Sequence, residues 1–360
     1  MVSKTVLITG GTGLVGSHLA NQIALRGHQV LVLSRSSRFS VPEAIGDENK
    51  SRIELVSGDV DDKDLLSELI GRSQFIFHQA ASVGASGAVE NASDYIQNNV
   101  SGTASLVDVL RTTKHQITDI VLSSSISVYG EGLYNCGKCG AVRPELRYRI
   151  DKNQSPINWN PLCPQCGASI TPVNTPETAE KHGESIYAVT KKVQEDLLAS
   201  TCRPLDINLT IFRLCTILGA GQSWHNPFTR FLELLFQGQA PVLHEDGKQS
   251  RDFIFVEDVI SANISLLEKE LTGMNVFNVG SGNAVPLRDF SSKLAVRMAQ
   301  ALNCESVEPV IDAKFAPGDV RHCHTDCSPM KEKLNVQTTK SLEDGLDELV
   351  EWYVRKKQNV

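Results

Sequence analysis

Tyr187 and Lys191 stand four residues apart in Ser185-Ile186-Tyr187-Ala188-Val189-Thr190-Lys191. The stretch reads as a helix, because Val189, Val193 and Leu197 fall on one i, i+4 stripe. On a helix the phenol and the ammonium share a face, one turn apart. A free phenol titrates near pH 10; bringing it to about 7 takes roughly 4 kcal/mol of extra phenolate stabilisation. A neighbouring cation supplies part of that, and the pair could then move a proton to or from a hydroxyl. The motif alone is also compatible with an ordinary surface helix, so the elements around it must decide.

The first of these lies at the start of the chain. Thr5 to Thr9 is a short apolar, β-branched run that predicts a parallel strand buried on both faces. It enters Gly10-Gly11-Thr12-Gly13-Leu14-Val15-Gly16 and then a helical pattern (Leu19, Ile23, Leu25) closed by Gly27. A glycine-rich turn between a strand and a helix N-terminus lets backbone approach a pyrophosphate at the positive end of the helix dipole. Dinucleotide binding is therefore predicted at Gly10, Gly13, Leu14, Val15 and Gly16. A bound nicotinamide cation would add to the stabilisation of a Tyr187 phenolate.

The second strand, Gln29 to Leu33, ends in Ser34-Arg35-Ser36-Ser37-Arg38, where NAD sites usually carry an acid for the ribose 2′-hydroxyl. A guanidinium suits a 2′-phosphate, so Ser34, Arg35 and Arg38 favour NADP over NAD. Further strands are expected at Ile53 to Val56, ending near Asp59 and Val60, and at Gln74 to His78, followed by Ala80 and Ala81. A long helix is expected from Asp94 to Thr113 with Asn99 in its early turns, then a strand from Asp119 to Ser123. Asp59, Val60, Ala80, Ala81 and Asn99 complete the expected cofactor contacts, and His78 is read as structural.

Two Cys-x-x-Cys-Gly knuckles follow, Cys136/Cys139 and Cys163/Cys166, with 23 residues between them. Two such turns can close a tetrahedral four-cysteine site, so structural Zn2+ is predicted, with no open position left for catalysis. The surrounding segment has too few apolar residues to fold unaided, and metal binding would supply its stability. A redox dithiol pair is the alternative. His322, Cys323, His324 and Cys327 are also dense, but alternation along a strand would split them between faces.

Ser123-Ser124-Ser125, the glycine turn, Tyr187 with Lys191, and Arg251-Asp252-Phe253-Ile254-Phe255-Val256-Glu257-Asp258-Val259 are the motifs that matter most together. They resemble the extended short-chain dehydrogenase/reductase family, in its nucleotide-sugar epimerase/dehydratase branch. The resemblance covers nearly the whole chain. It implies Ser125 as the hydroxyl that bonds the reacting sugar oxygen, Tyr187 as acid/base, and Lys191 as the residue that tunes Tyr187 and holds the nicotinamide ribose. Dehydratases of the branch carry an Asp-Glu pair after the catalytic hydroxyl; here Ile126 and Ser127 stand there, and neither can serve an elimination. Ser125 and Tyr187 are 62 positions apart, wider than the family's usual interval, because the cysteine segment lies between them. The run around Gly130-Glu131-Gly132-Leu133-Tyr134-Asn135, with Pro144-Glu145-Leu146-Arg147 and Thr175-Pro176-Glu177-Thr178, is similar to a ribbon-bearing subgroup that includes dTDP-L-rhamnose 4-epimerases.

In the second half, Thr216 stands where the family usually has Asn. Arg251 is the expected clamp for the substrate diphosphate, Arg321 a second diphosphate or base contact, and Ser127 and Thr216 further substrate contacts. Asp252 and Asp258 are expected to cap or pair. The reading is thus a nucleotide-sugar 4-epimerase, on a dTDP-6-deoxyhexose such as dTDP-L-rhamnose; an NADPH-dependent 4-ketosugar reductase is the alternative.

Alternating strands and helices imply an α/β, Rossmann-type doubly wound parallel sheet. The expected domains are 1–130 with 180–215 for the dinucleotide, 131–179 for the zinc ribbon, and 216–360 for a smaller α/β substrate lobe, the chain returning to the core near 255–280. A net charge of −7 over 360 residues argues against a nucleic-acid or anionic-membrane partner. The absence of a long apolar run or leader and the nine cysteines fit a reducing cytoplasm. A homodimer through the two long helices is a family expectation.

Overall fold

The computed structural model describes residues 3–37, 47–83, 92–151, 156–223, 226–269 and 271–358; Arg38 therefore lies outside the described residues. Seven parallel strands form the central sheet: β1 (Thr5–Thr9), β2 (Gln29–Ser34), β3 (Ile53–Ser57), β4 (Phe75–His78), β5 (Asp119–Ser125), β6 (Asn208–Leu214) and β7 (Met274–Val279). Their order is β7-β6-β5-β4-β1-β2-β3. The strand order reverses beside β1, between β4 and β2, and a ligand crevice opens there at the strands' C-terminal ends.

The apolar runs of the sequence explain this sheet. Val6, Ile8, Val30, Val32, Phe75 and Phe77 face one hydrophobic layer, while Leu7, Leu31, Leu33 and Ile76 face the other. Alternate residues along each strand are thus buried on opposite faces, which only a sheet covered by helices on both sides permits.

A smaller lobe gathers Thr216–Leu218, Ser250–Phe255 and Ala284–Pro286 into a second sheet. Helices Pro227–Phe236, Leu287–Leu302 and Leu342–Gln358 pack on it through Leu235, Phe290, Leu346, Leu349, Val350 and Tyr353. The cysteine segment builds a third sheet from Tyr134–Cys136, Gly140–Val142 and Ile170–Pro172, around a core of only Tyr134, Cys136, Val142, Cys163 and Ile170.

One expectation is corrected, and two helices carry exposed apolar residues. The helix expected from Asp94 to Thr113 is interrupted: residues Ile96–Ser101 form a π-helical turn between Ala92–Tyr95 and Gly102–Thr112. Such widened turns recur at functional sites because they re-aim side chains. Leu25 is exposed at the end of helix Leu14–Leu25, while Leu19 and Ile23 are buried. In helix Ile186–Cys202 Val189 is 46% exposed while Leu197 packs against the core, and the buried face includes polar Thr190, Lys191, Gln194 and Glu195.

Candidate active site

The helix that carries the chemistry begins at Ser185, whose hydroxyl accepts from the Ala188 amide at 3.1 Å. This cap fixes the first turn, so Tyr187 and Lys191 project from a set position. Tyr187 and Ser125 line the same cleft of about 700 Å³, where the Ser125 hydroxyl favours the phenolate. Lys191 is 3% exposed and donates to the Ser123 carbonyl at 2.8 Å.

Burial dominates the electrostatics. It pushes the Tyr187 phenol up to about 12, with the Ser125 hydroxyl opposing, and brings the Lys191 ammonium down to about 7. Lys191 binds a backbone carbonyl and burial holds Tyr187 protonated, while the expectation joins Lys191 with a nicotinamide cation in making the phenol acidic. Ionising it at pH 7 would cost about 7 kcal/mol, so further positive charge must enter with the ligands.

A polar buttress lies behind these groups. Arg213 grips Glu195 with Nε and Nη2 at 3.1 and 2.9 Å, and Ser124 donates to the same carboxylate at 2.6 Å. Arg213 also donates to the Tyr129 hydroxyl at 2.7 Å. The β5 end carrying Ser125 and the helix carrying Lys191 are thereby locked together. Sequence reasoning missed Glu195 and Tyr129, since nothing in their local spacing pairs them with Arg213. His78 is structural, as expected: its ring nitrogens meet Thr9 at 2.8 Å and Thr103 at 2.9 Å, and burial lowers it to about 3.

The other half of the cleft is lined by Gly10, Gly13, Leu14, Val15, Gly16, Ser34, Arg35, Asp59, Val60, Ala80 and Ala81. Gly10 has φ +67°, and a Cβ there would lie 2.7 Å from the Ala80 Cα. Glycine and a small neighbour are therefore both required for the close pass between β1 and β4. Arg35 lies at the cleft's β2 end, where Nη1 donates to Asn98 Oδ1 at 3.0 Å and Nε is 4.0 Å from Asp59 Oδ2. Two buried polar atoms on cleft-lining residues, Gln79 Nε2 and Ser127 Oγ, lack a hydrogen-bond partner. Gaps between glycines and orphaned polar atoms suit an elongated polar ligand such as a dinucleotide.

Ser127, Thr216 and Arg251 line the same cleft, with Arg251 donating to Asp319 Oδ1 at 3.1 Å. Two expected contacts are not there. Asn99 is buried behind the wall, accepting from the Ser82 amide at 2.7 Å and donating to Thr190 at 2.9 Å; the π-helical turn brings Asn98 to the cleft instead. Arg321 is 1% exposed and is neutralised by Glu245 and Asp246 at 3.0 and 2.7 Å, so it has no guanidinium free for a phosphate. Asp319, Val320 and Cys323, absent from the sequence reading as cleft residues, line it where Arg321 was expected.

The knuckle cysteines converge. The sulfurs of Cys136, Cys139, Cys163 and Cys166 all lie within 4.8 Å of one another, and Cys136 and Cys166 are 3.6 Å apart. Four thiolates about 2.3 Å from one zinc stand roughly 3.8 Å apart, so this set fits that ion. The denser C-terminal run divides as alternation predicts. His322 and His324 share the Ser250 hydroxyl, each at 2.7 Å, while Cys327 lies beside Cys215 and Asp252. Asp252 accepts from Ser281 N, Ser281 Oγ and Gly282 N, and Asp258 accepts from Thr339 N, so both tie loops rather than cap a helix or pair with an arginine as expected.

Comparison with known proteins agrees with this geometry. The model of the NAD dependent epimerase/dehydratase family matches residues 6–155 and 165–280. A dTDP-L-rhamnose 4-epimerase of Burkholderia thailandensis is 29% identical, over 98% of this chain and 96% of the relative. UDP-glucuronate 4-epimerase 4 of Arabidopsis thaliana is 25% identical over 97% of this chain and 75% of the relative. Among solved structures, the fold is shared with a UDP-N-acetylglucosamine 4-epimerase from Methanobrevibacter ruminantium in complex with UDP-N-acetylmuramic acid. There the TM-score is 0.76 at 24% identity, covering 99% of this chain and all of that one. MoeE5 in complex with UDP-glucuronic acid and NAD gives 0.75 at 23% identity, covering 98% of this chain and 99% of that one. With a glycine-turn cleft that brings Ser125 and Tyr187 together and a family match over most of its length, the chain belongs to the NAD dependent epimerase/dehydratase family of enzymes.

Proposed function

We propose that the protein is a nucleotide-sugar 4-epimerase that acts on a dTDP-6-deoxyhexose such as dTDP-L-rhamnose. The observation that carries the reading is the Tyr187–Ser125 hydroxyl pair in a cleft whose reacting end holds no acid pair for elimination. A bound nicotinamide dinucleotide would supply the reversible hydride acceptor. Ser125 orients the sugar 4-hydroxyl, Tyr187 takes its proton, and the same phenol returns a proton once the 4-keto sugar has presented its other face. Lys191 stands one turn below, where its charge favours the phenolate.

An uncharged sugar is supported by the cations of the cleft. Among the described lining residues these are Arg35, Lys191 and Arg251, and Lys191 and Arg251 are engaged by the Ser123 carbonyl and by Asp319. Among the described lining residues, a uronate carboxylate would find no free cation beside Ser125, Ile126, Ser127 and Thr216. The similarity to a dTDP-L-rhamnose 4-epimerase supports the same choice. Arg35, with no acid at the β2 tip, supports NADP over NAD and favours one further reading, an NADPH-dependent 4-ketosugar reductase. Zn2+ in the four-cysteine ribbon completes the proposed composition.

The test is conversion of dTDP-L-rhamnose by wild type and Tyr187→Phe. The variant is expected to lose at least about 100-fold in rate. Epimerisation near the wild-type rate would overturn the assignment of Tyr187, and sustained loss of nicotinamide absorbance with a 4-keto sugar would favour the reductase.

A further inference from the structure

We propose that Arg147, contributed by the cysteine-bearing insertion, is a positioning residue for the nucleotide diphosphate: it fixes the turn against which Arg251 is set. This rests on reading Arg251 as the diphosphate clamp. Arg251 and Asp319 both line the cleft, and Asp319 Oδ1 accepts from Arg251 Nη2 at 3.1 Å. A guanidinium held from one side by a carboxylate keeps its remaining N–H groups in a fixed plane, ready for a bidentate phosphate contact. Arg251 Nη1 is held by the Ser250 and Arg321 carbonyls at 2.9 and 3.4 Å, and Asp319 is the side chain that fixes the Nη2 side of the clamp.

The insertion holds Asp319. The Gly318 amide donates to the Arg147 carbonyl at 2.8 Å, and Arg147 Nη2 donates to the Asp319 carbonyl at 3.4 Å. The Arg147 guanidinium is itself fixed. Nη1 lies 3.0 Å from Glu245 Oε1 and donates to the Trp159 carbonyl, while Nε is 3.8 Å from Glu131 Oε1. Both carboxylate side chains are fully buried, and Arg147 is 10% exposed. Neither acid can move without stranding a buried charge, which makes Arg147 a rigid hub. The next residue continues the strap: the Tyr148 hydroxyl donates to Glu184 at 2.9 Å, one position before the Ser185 cap of the Tyr187 helix. Residues 147 and 148 thus tie the Asp319 turn of the small lobe to the start of the catalytic helix.

A merely structural hub and a positioning hub differ in what its loss changes. On the metal-loaded full chain, calorimetric titration with dTDP and with UDP compares wild type with Arg147→Met and Arg147→Lys, alongside cofactor occupancy, melting temperature and steady-state kinetics. For Arg147→Met, nucleotide affinity is expected to weaken about tenfold or more and KM to rise in step. Cofactor occupancy should be unchanged and kcat should stay within about threefold. Arg147→Lys keeps the charge but cannot span the same acceptors, and its affinity should fall between the two. If Arg147→Met fails to fold, Arg147→Lys decides: wild-type nucleotide affinity in a folded Arg147 variant overturns the inference. So does a loss in which cofactor occupancy and kcat fall together with affinity. A wild type that binds neither dTDP nor UDP would instead overturn the reading of Arg251 beneath it.

Discussion

At the scale of single residues, burial sets the protonation of the site. Tyr187 is a protonated phenol and Lys191 a buried amine brought down to about 7 by desolvation. The linkage has a definite sign. Lys191 titrates near 7 when folded and near its usual 10.5 when unfolded, so between those values the unfolded chain binds more protons and stability rises with pH. Below pH 7 the buried charge costs its full amount. Lys191→Met should therefore abolish turnover without a matching loss of stability. Its melting temperature relative to wild type should be highest at or below pH 7 and decline toward pH 10. Thermal scans of both proteins across that range check this, and a difference independent of pH would contradict the assignment of Lys191 as a desolvated amine.

At the scale of elements, the insertion is a small sheet with a core of five residues, three of them aliphatic or aromatic: Tyr134, Val142 and Ile170. Such a core cannot offset the ordering of its own chain, and four convergent sulfurs are the remaining source of stability. Metal analysis of the purified protein should find one zinc per chain. Removal by a strong chelator should lower the melting temperature and, through Arg147, weaken nucleotide binding before cofactor binding. Retention of full stability after zinc removal would mean that the ribbon holds without metal. The interrupted helix at Ile96–Ser101 shows a similar economy: one widened turn gives Asn98 to the cleft and Asn99 to the Thr190 hydroxyl behind it.

At the scale of the whole molecule, the Tyr187 helix presents its cleft-side residues inward and leaves Val189 exposed on the other face. Ile96, on the π-helical turn, is 51% exposed. Apolar side chains on the outward face of a helix that already carries the active site suit a symmetric contact with a second copy. Native mass spectrometry is expected to show a dimer with one NADP and one zinc per chain. A monomer would remove the homodimer proposal, and NAD in place of NADP would remove the argument from Arg35.

The sequence by itself determined what depends on neighbours along the chain. Short continuous apolar runs, the glycine turn, the Ser185 cap and the knuckle spacing each encode their own geometry within a few residues, and the sheet and the cysteine cluster follow from them. Tertiary structure decided whatever depends on partners far apart in the chain. Arg321 carries the same guanidinium as Arg251, yet Glu245 and Asp246 claim it, and no local pattern announces that pairing. The same holds for the hub at Arg147, and for Asn98 replacing Asn99 through one widened turn. Burial is likewise a property of the assembled fold, which is why a phenol and an ammonium one helical turn apart are shifted by desolvation more than by each other.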